Sequence, residues 1–241
     1  MNDAEFAHFL AEEAGRMLLI LQQTGGLSGK ALGDEGDRIA NDFLVGMLRM
    51  RRAQDALLSE EENCDGARLQ ASRVWIIDPL DGTREYGEAR SDWAVHVGLS
   101  VDGVASLGAV ALPGLGLTLS PLAPMLLRPA NNPLKMVVSR TRPAAEAISV
   151  AEKIGAELLP MGSAGAKAMA VVRGEADIYL HTGGQYEWDN CAPVAVAEAA
   201  GLHVSRVDGS PMRYNNADPY LPDLLICRKE LAGTIFKALG E

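Results

Sequence analysis

The sequence predicts an α/β protein in which helices alternate with strands of mixed direction. Three observations carry this reading. Apolar residues recur at helical spacing through residues 6–21 and 39–48; a short β-branched and aromatic run, Val74 to Ile77, is bounded by turn residues; and from Lys135 onward strand-like and helix-like patterns take turns. With 241 residues the chain can bury a large core, as one domain or as two tightly joined halves.

Composition narrows the class. The hydrophobic fraction is 48% and the mean hydropathy +0.03, ordinary for a soluble enzyme. The densest apolar run near the start, Met17 to Leu21, is too short to span a bilayer, and no signal peptide is read. Cys64, Cys191 and Cys227 are odd in number and widely spaced, which suits reduced thiols in a cytoplasm and forms no zinc pattern. A net charge of −10 and a pI near 4.9 argue against nucleic acid as partner. An anionic ligand then needs local positive charge, which bound metal ions can supply.

In the first half, Asn2 or Asp3 can cap a helix whose apolar face is Phe6, Phe9, Leu10, Met17 and Leu21, with Gly25 and Gly26 ending it. A Gly-rich connection leads to a second amphipathic pattern, Ile39, Phe43, Leu44, Met47 and Leu48, with Asp37 just ahead of it. An aspartate there reads equally as a helix cap and as a functional acid. In DALLSEEENCD, Leu57 and Leu58 end a strand directly before Glu60, and three consecutive glutamates read on their own as a solvated loop.

The stretch Val74 to Tyr86, VWIIDPLDGTREY, is where chemistry is expected. Val74 to Ile77 form a strand covered on both faces that stops at Asp78. Pro79 bars helical geometry at Asp78, so the carboxylates of Asp78 and Asp81 converge from a loop at the strand's end. Two close carboxylates repel unless neutralised; a hard divalent cation suits them, with the Leu80 carbonyl as a further oxygen donor. Gly82 and Thr83 then open a helix whose free N–H groups suit a phosphate.

Trp93–Ser100 and Val104–Leu112 read as a hairpin turned at Asp102–Gly103, followed by a strand at Gly116–Ser120. Ala123 to Pro133, rich in proline and asparagine, is a surface connection, and a boundary near Ala130 divides residues 1–130 from 131–241. The second half restarts with a strand, Lys135–Val138, and a helix from Pro143 to about Ile154. Ser139, Arg140 and Arg142 fall between them, the arginines as surface charges or as an anion clamp. After a strand at Glu157–Pro160, MGSAGAKAMAVVRG opens a helix where Gly162 and Gly165 would let a ligand approach the backbone, with Lys167 one turn in. His181 follows a strand at Ala176–Leu180. Asp189 starts an alanine-rich helix, as a cap or as a metal ligand. A strand at Leu202–Val204, an Asp208–Gly209 turn, a strand at Leu224–Cys227 and a terminal helix complete the chain, without internal repeats.

DPLDGT followed by REY resembles the signature of the metal-dependent phosphatase superfamily that includes inositol monophosphatase and fructose-1,6-bisphosphatase. Asp37, Glu60, Asp78, Leu80, Asp81, Gly82, Thr83 and Asp189 occur in its order. DPLDGTREY, VVSRTRP, GSAGAK and WDNCAP are similar to its 3'(2'),5'-bisphosphate nucleotidase branch. The resemblance implies a layered αβαβα sandwich, with residues 1–130 carrying the main metal motifs and 131–241 the nucleotide-side contacts and the last metal ligand. It implies two or three Mg²⁺ held by Glu60, Asp78, the Leu80 carbonyl, Asp81 and Asp189, with Asp37 and Thr83 activating the attacking water and with sensitivity to Li⁺.

The substrate it implies is 3'-phosphoadenosine 5'-phosphate, hydrolysed to AMP and phosphate in sulfur assimilation, together with its sulfated relative. Glu60, Asp81, Gly82, Thr83, Ser139, Arg140, Arg142, Ser163, Gly165, Lys167, His181 and Asp189 would contact it. Activity on inositol monophosphate or fructose-1,6-bisphosphate is the alternative within the fold. An inactive nucleotide- or metal-binding protein is the alternative of another class, against which the complete acidic set argues. Gly33 and Asp34 stand where a valine–threonine pair is usual, Arg142 where histidine is common and His181 where some members carry arginine. Monomer and homodimer both remain open.

Overall fold

The computed structural model describes residues 1–62, 66–123 and 125–240. Cys64, among the expected thiols, and Pro124, in the expected connection, lie outside them. Helix α1 (Asp3–Thr24) is capped by Asn2, whose side chain accepts from the Glu5 amide while Glu5 returns to the Asn2 amide, both at 2.9 Å. Helix α2 (Gly29–Arg51) starts well ahead of the expected point, so Asp37 lies inside the helix and is neither its cap nor its opening residue.

The reason is tertiary. Gly33 and Gly36, which resemble a linker locally, are where α2 meets a neighbour: a Cβ at Gly33 would come 2.6 Å from Thr83 Cγ2, and one at Gly36 would come 2.8 Å from Tyr86 Cε1. The glycines weaken the helix in isolation and permit its packing.

Strand β1 (Ala56–Ser59) runs parallel to β2 (Arg73–Asp81). β2 does not stop at Asp78. It continues through Pro79 to Asp81, with its register against β3 (Ala94–Val101) broken between Asp78, opposite His96, and Asp81, opposite Ala94. Proline offers no N–H to the ladder, so the strand continues there as a bulge. The short helix α3 (Thr83–Gly87) follows Gly82, which sits at φ 90. β3 turns into β4 (Val104–Leu112) through Asp102 and Gly103, at φ 50 and 77, the double positive φ of a tight hairpin. β5 (Leu117–Leu119) completes a sheet ordered β1-β2-β3-β4-β5.

The remaining elements are β6 (Lys135–Ser139), α4 (Ala145–Ile154), β7 (Glu157–Met161), α5 (Ala164–Val172), β8 (Ile178–His181), β9 (Gln185–Tyr186), α6 (Glu187–Ala199), β10 (His203–Ser205), β11 (Tyr220–Leu221), β12 (Leu224–Cys227) and α7 (Ala232–Gly240). They build a second sheet, β10-β12-β8-β6-β7, and a two-stranded β9-β11 ribbon. The ribbon was not legible, each strand being two residues long. α4 begins two residues beyond Pro143, and His181 is the last residue of β8, not the one after it.

Three cores give the layer order αβαβα. α1 and α2 bury Leu10, Leu18 and Leu44 against Trp75, Ile77 and Val97 on one face of the first sheet. Its other face, through Val74, Ile76 and Val110, packs with α5 and α6, which also cover Tyr179 and Ile226 of the second sheet. The far face of that sheet, with Met136, Leu180 and Leu225, is closed by α4 and α7. Gly98 and Gly108 are cross-strand partners beneath α6. A Cβ at Gly108 would come 2.4 Å from the Ala192 carbonyl, so the pair lets the helix backbone lie almost on the sheet. Cys191 and Cys227 are free and buried. Among the described residues no helix is long and apolar enough to cross a membrane.

Candidate active site

In a regular strand, residues three apart face opposite sides of the sheet. The break in register between Asp78 and Asp81 removes that constraint, and both carboxylates reach one place, 1% and 7% exposed. Asp189, in the first turn of α6, joins them. Its Oδ2 accepts from the Tyr186 amide at 2.6 Å, so the carboxylate is held at the helix start. One carboxylate oxygen from each of Asp78, Asp81 and Asp189 lies within 4.8 Å of the others.

Asp81 also ties the end of β2 to the start of α5. It accepts from the Ser163 hydroxyl and from the amides of Ala164 (3.0 Å) and Gly165 (2.6 Å), the start of α5. Ser163 is itself left-handed at φ 47, a conformation this bonding holds. Burial alone would raise the Asp81 pKa, but His96, Lys167 and Ser163 hold it at about 2. His96, fully buried, has Nε2 3.2 Å from Asp81 and Nδ1 3.0 Å from the Trp188 carbonyl. Burial lowers its pKa, but Asp81, with the Trp188 carbonyl and Asp189, outweighs it, so the net shift is upward.

The other acids are pushed toward protonation. Burial, then Glu60 and Asp81, raise Asp78 well above the carboxylate range. Burial and the Asp81 charge raise Asp189 to about 6. Glu60, on the rim after β1, is raised to about 8 by the protein around its carboxyl and then by Asp189, Asp37 and Asp81. Asp37 reaches about 7 through burial and the Glu61 charge, with Thr83 pulling it down, and its Oδ1 is buried with no hydrogen-bond partner among the described residues. The Thr83 hydroxyl donates to the Leu80 carbonyl at 3.1 Å. Asp78 and Asp81, buried, and Asp189, half-buried, bring mutually repelling oxygen donors within 4.8 Å of one another, which fits one or more hard divalent cations, with Glu60 exposed on the rim. Glu62 is occupied elsewhere, accepting from Asn41 and Arg49, which leaves Glu60 and Glu61 near the site.

Several expected anion contacts have other partners. Arg140 donates to Glu85 Oε1 at 2.7 Å and Glu88 Oε2 at 3.0 Å, tying the β6–α4 loop to α3 instead of standing free as a clamp. Lys167 is 6% exposed, and its ammonium donates to the carbonyls of Gly162 (3.1 Å) and Ser163 (2.5 Å), where it braces the loop that receives Asp81. Gly162 and Gly165 make room for protein side chains: a Cβ there would come 2.3 Å from Glu85 Cγ and 2.0 Å from His96 Nε2. Ser139 Oγ accepts from the Arg142 amide, leaving the Arg142 guanidinium exposed. His181 Nε2 is 3.1 Å from the Gly184 carbonyl, and burial, then Lys167 and Arg142, hold its pKa down.

A profile of the Inositol monophosphatase family matches residues 5–155 and 131–240, nearly the whole chain. The chain belongs to the inositol monophosphatase family. A relative from Mycobacterium leprae, 3'-phosphoadenosine 5'-phosphate phosphatase, is 48% identical over 100% of this chain and 94% of its own length. The protein of that name from Mycobacterium bovis is 47% identical over 95% and 90%. The 3'(2'),5'-bisphosphate nucleotidase CysQ of Escherichia coli is 29% identical over 77% and 80%. Among solved structures, CysQ from Bacteroides thetaiotaomicron superposes with a TM-score of 0.81 at 24% identity, covering 94% of this chain and 97% of its own. Within this inositol monophosphatase fold, His96 and Glu85 escaped the sequence reading. A lone histidine in an apolar strand looks like core, and only the β2–β3 register, Asp78 opposite His96, points to its place.

Proposed function

We propose that this family member is a Mg²⁺-dependent phosphomonoesterase. It removes the 3'-phosphate of 3'-phosphoadenosine 5'-phosphate to give AMP and phosphate, and acts on the sulfated relative, in sulfur assimilation. The observation that carries the reading is the convergence of Asp78, Asp81 and Asp189 in a chain 48% identical over its whole length to a phosphatase named for that substrate.

Asp78, Asp81, Asp189, Glu60 and the Leu80 carbonyl would hold two or three Mg²⁺. When bound, the ions supply Lewis acidity that lowers the pKa of a coordinated water and stabilises the leaving alkoxide. The unpartnered Asp37 Oδ1 receives a hydrogen bond from the attacking water, with the Thr83 hydroxyl fixing its direction. As the water oxygen bonds to phosphorus, its proton passes to Asp37, the P–O3' bond breaks, and the 3'-oxygen takes up a proton from solvent to leave the AMP hydroxyl. The amides of Gly82 and Thr83, presented by the positive φ of Gly82, stabilise the phosphoryl oxygens.

Incubation of the protein with Mg²⁺ and 3'-phosphoadenosine 5'-phosphate should yield AMP and one phosphate per turnover. Adenosine 3'-phosphate as the product, or no release at all, would overturn the reading.

A further inference from the structure

The tyrosines beside the acidic centre take no part in the chemistry above. In the antiparallel β9-β11 ribbon, Tyr186 stands opposite Tyr220 and Gln185 opposite Leu221. Alternation sends one pair to each face. Gln185 and Leu221 are 7% and 5% exposed, whereas Tyr186 and Tyr220 are 44% and 47% exposed. The Trp188 ring stacks on Tyr186 with centroids 4.8 Å apart and planes at 10°, and Tyr220 meets Tyr186 edge-on at 5.9 Å. Two large rings are thus left in water, but held in a fixed orientation.

The backbone that carries two of these rings is tied to the site. The Tyr186 amide donates to Asp189, and the Trp188 carbonyl bonds His96. On the other side Tyr220 lies over Gly184, where a Cβ would come 2.4 Å from its hydroxyl, and Gly184 in turn contacts His181.

We propose that Tyr186, Tyr220 and Trp188 form the platform on which the purine base of the substrate stacks. The proposal rests on the nucleotide reading of the site. Every nucleobase offers a π face to such rings, whereas an inositol or fructose ring offers none. The platform therefore selects nucleotides among the small phosphate esters this fold can hydrolyse.

The test compares kcat/KM for 3'-phosphoadenosine 5'-phosphate with that for ribose 3,5-bisphosphate, which keeps both phosphates and lacks the base. Wild type should favour the base-bearing compound. Tyr186→Ala and Tyr220→Ala should each lose about 5- to 150-fold of that preference, chiefly through KM. Tyr186→Phe and Tyr220→Phe should retain it, and quenching of tryptophan fluorescence by AMP should weaken in step with the alanine losses. Tyr220→Leu keeps apolar cover without a π face and reads the same loss should the alanine variants unfold. A wild-type preference that survives all ring-removing variants overturns the platform and leaves the nucleotide reading standing. A wild type indifferent to the base overturns the platform alone, whereas no phosphate release from 3'-phosphoadenosine 5'-phosphate overturns the nucleotide reading with it.

Discussion

Asp81 accepts from Ser163, Ala164 and Gly165 while facing Asp78 and Asp189, so one side chain serves both the junction of β2 with α5 and the acidic centre. In Asp81→Asn an amide N–H₂ would face N–H donors. Turnover should be abolished, and urea unfolding should show a loss of about 2 kcal/mol for each charge-assisted bond broken. Near-normal Mg²⁺-dependent phosphate release from this variant would remove Asp81 from the metal set. Asp37→Asn keeps the shape but cannot take a proton; kcat should fall roughly 100- to 10,000-fold while Mg²⁺ binding, followed by calorimetry, persists. At this scale the sequence disclosed the acids but not their neighbours. DPLDGT is local, whereas the partners of Asp81 and Arg140 lie 82 to 84 and 52 to 55 residues away. Lys167 beside a small-residue turn looks like an anion contact until Asp81 is found in that turn.

Between elements, the fold relies on close approach and on a few ion pairs. Gly108→Ala would press a methyl group against the Ala192 carbonyl of α6, the helix that carries Asp189. Overpacking there should cost about 1–3 kcal/mol in denaturant unfolding and raise the Mg²⁺ concentration needed for half-maximal activity. Unchanged values for both would mean that α6 can shift without moving the site. Arg140→Ala frees Glu85, 8% exposed, from its partner. The variant should melt at a lower temperature, and adding Glu85→Gln should recover part of the loss, because the unpaired buried charge is then gone. Additive losses would show that the two residues do not act as a pair. Long periodic segments such as α1 and the β3-β4 hairpin were readable because pattern and capping agree within a few residues. The start of α2 was not, since Gly33 and Gly36 answer to Thr83 and Tyr86 and not to local helix preference.

Across the whole molecule the acidity has a measurable consequence. Asp189, Asp37 and Glu60 titrate near 6, 7 and 8 when folded, above their ordinary 3.8 to 4.5, and Asp78 is also raised. Between about pH 4 and about pH 8 these acids therefore bind more protons in the folded chain than in the unfolded one, and their contribution to stability falls as pH rises; the depressed His181 and His203 oppose it up to about pH 6.5. The raised His96 acts in the same direction as the raised acids; Asp81, near 2, stabilises instead above about pH 4. In chelator the melting temperature should drop between about pH 5 and about pH 8, and Mg²⁺ should raise it more at the higher pH. A flat profile in chelator would sink this account of the cluster. The most direct measurement of the central claim is phosphate release with Mg²⁺ from 3'-phosphoadenosine 5'-phosphate, inositol 1-phosphate and fructose 1,6-bisphosphate, assayed in parallel. The account predicts the highest kcat/KM for the nucleotide; a higher value for either sugar phosphate would contradict it.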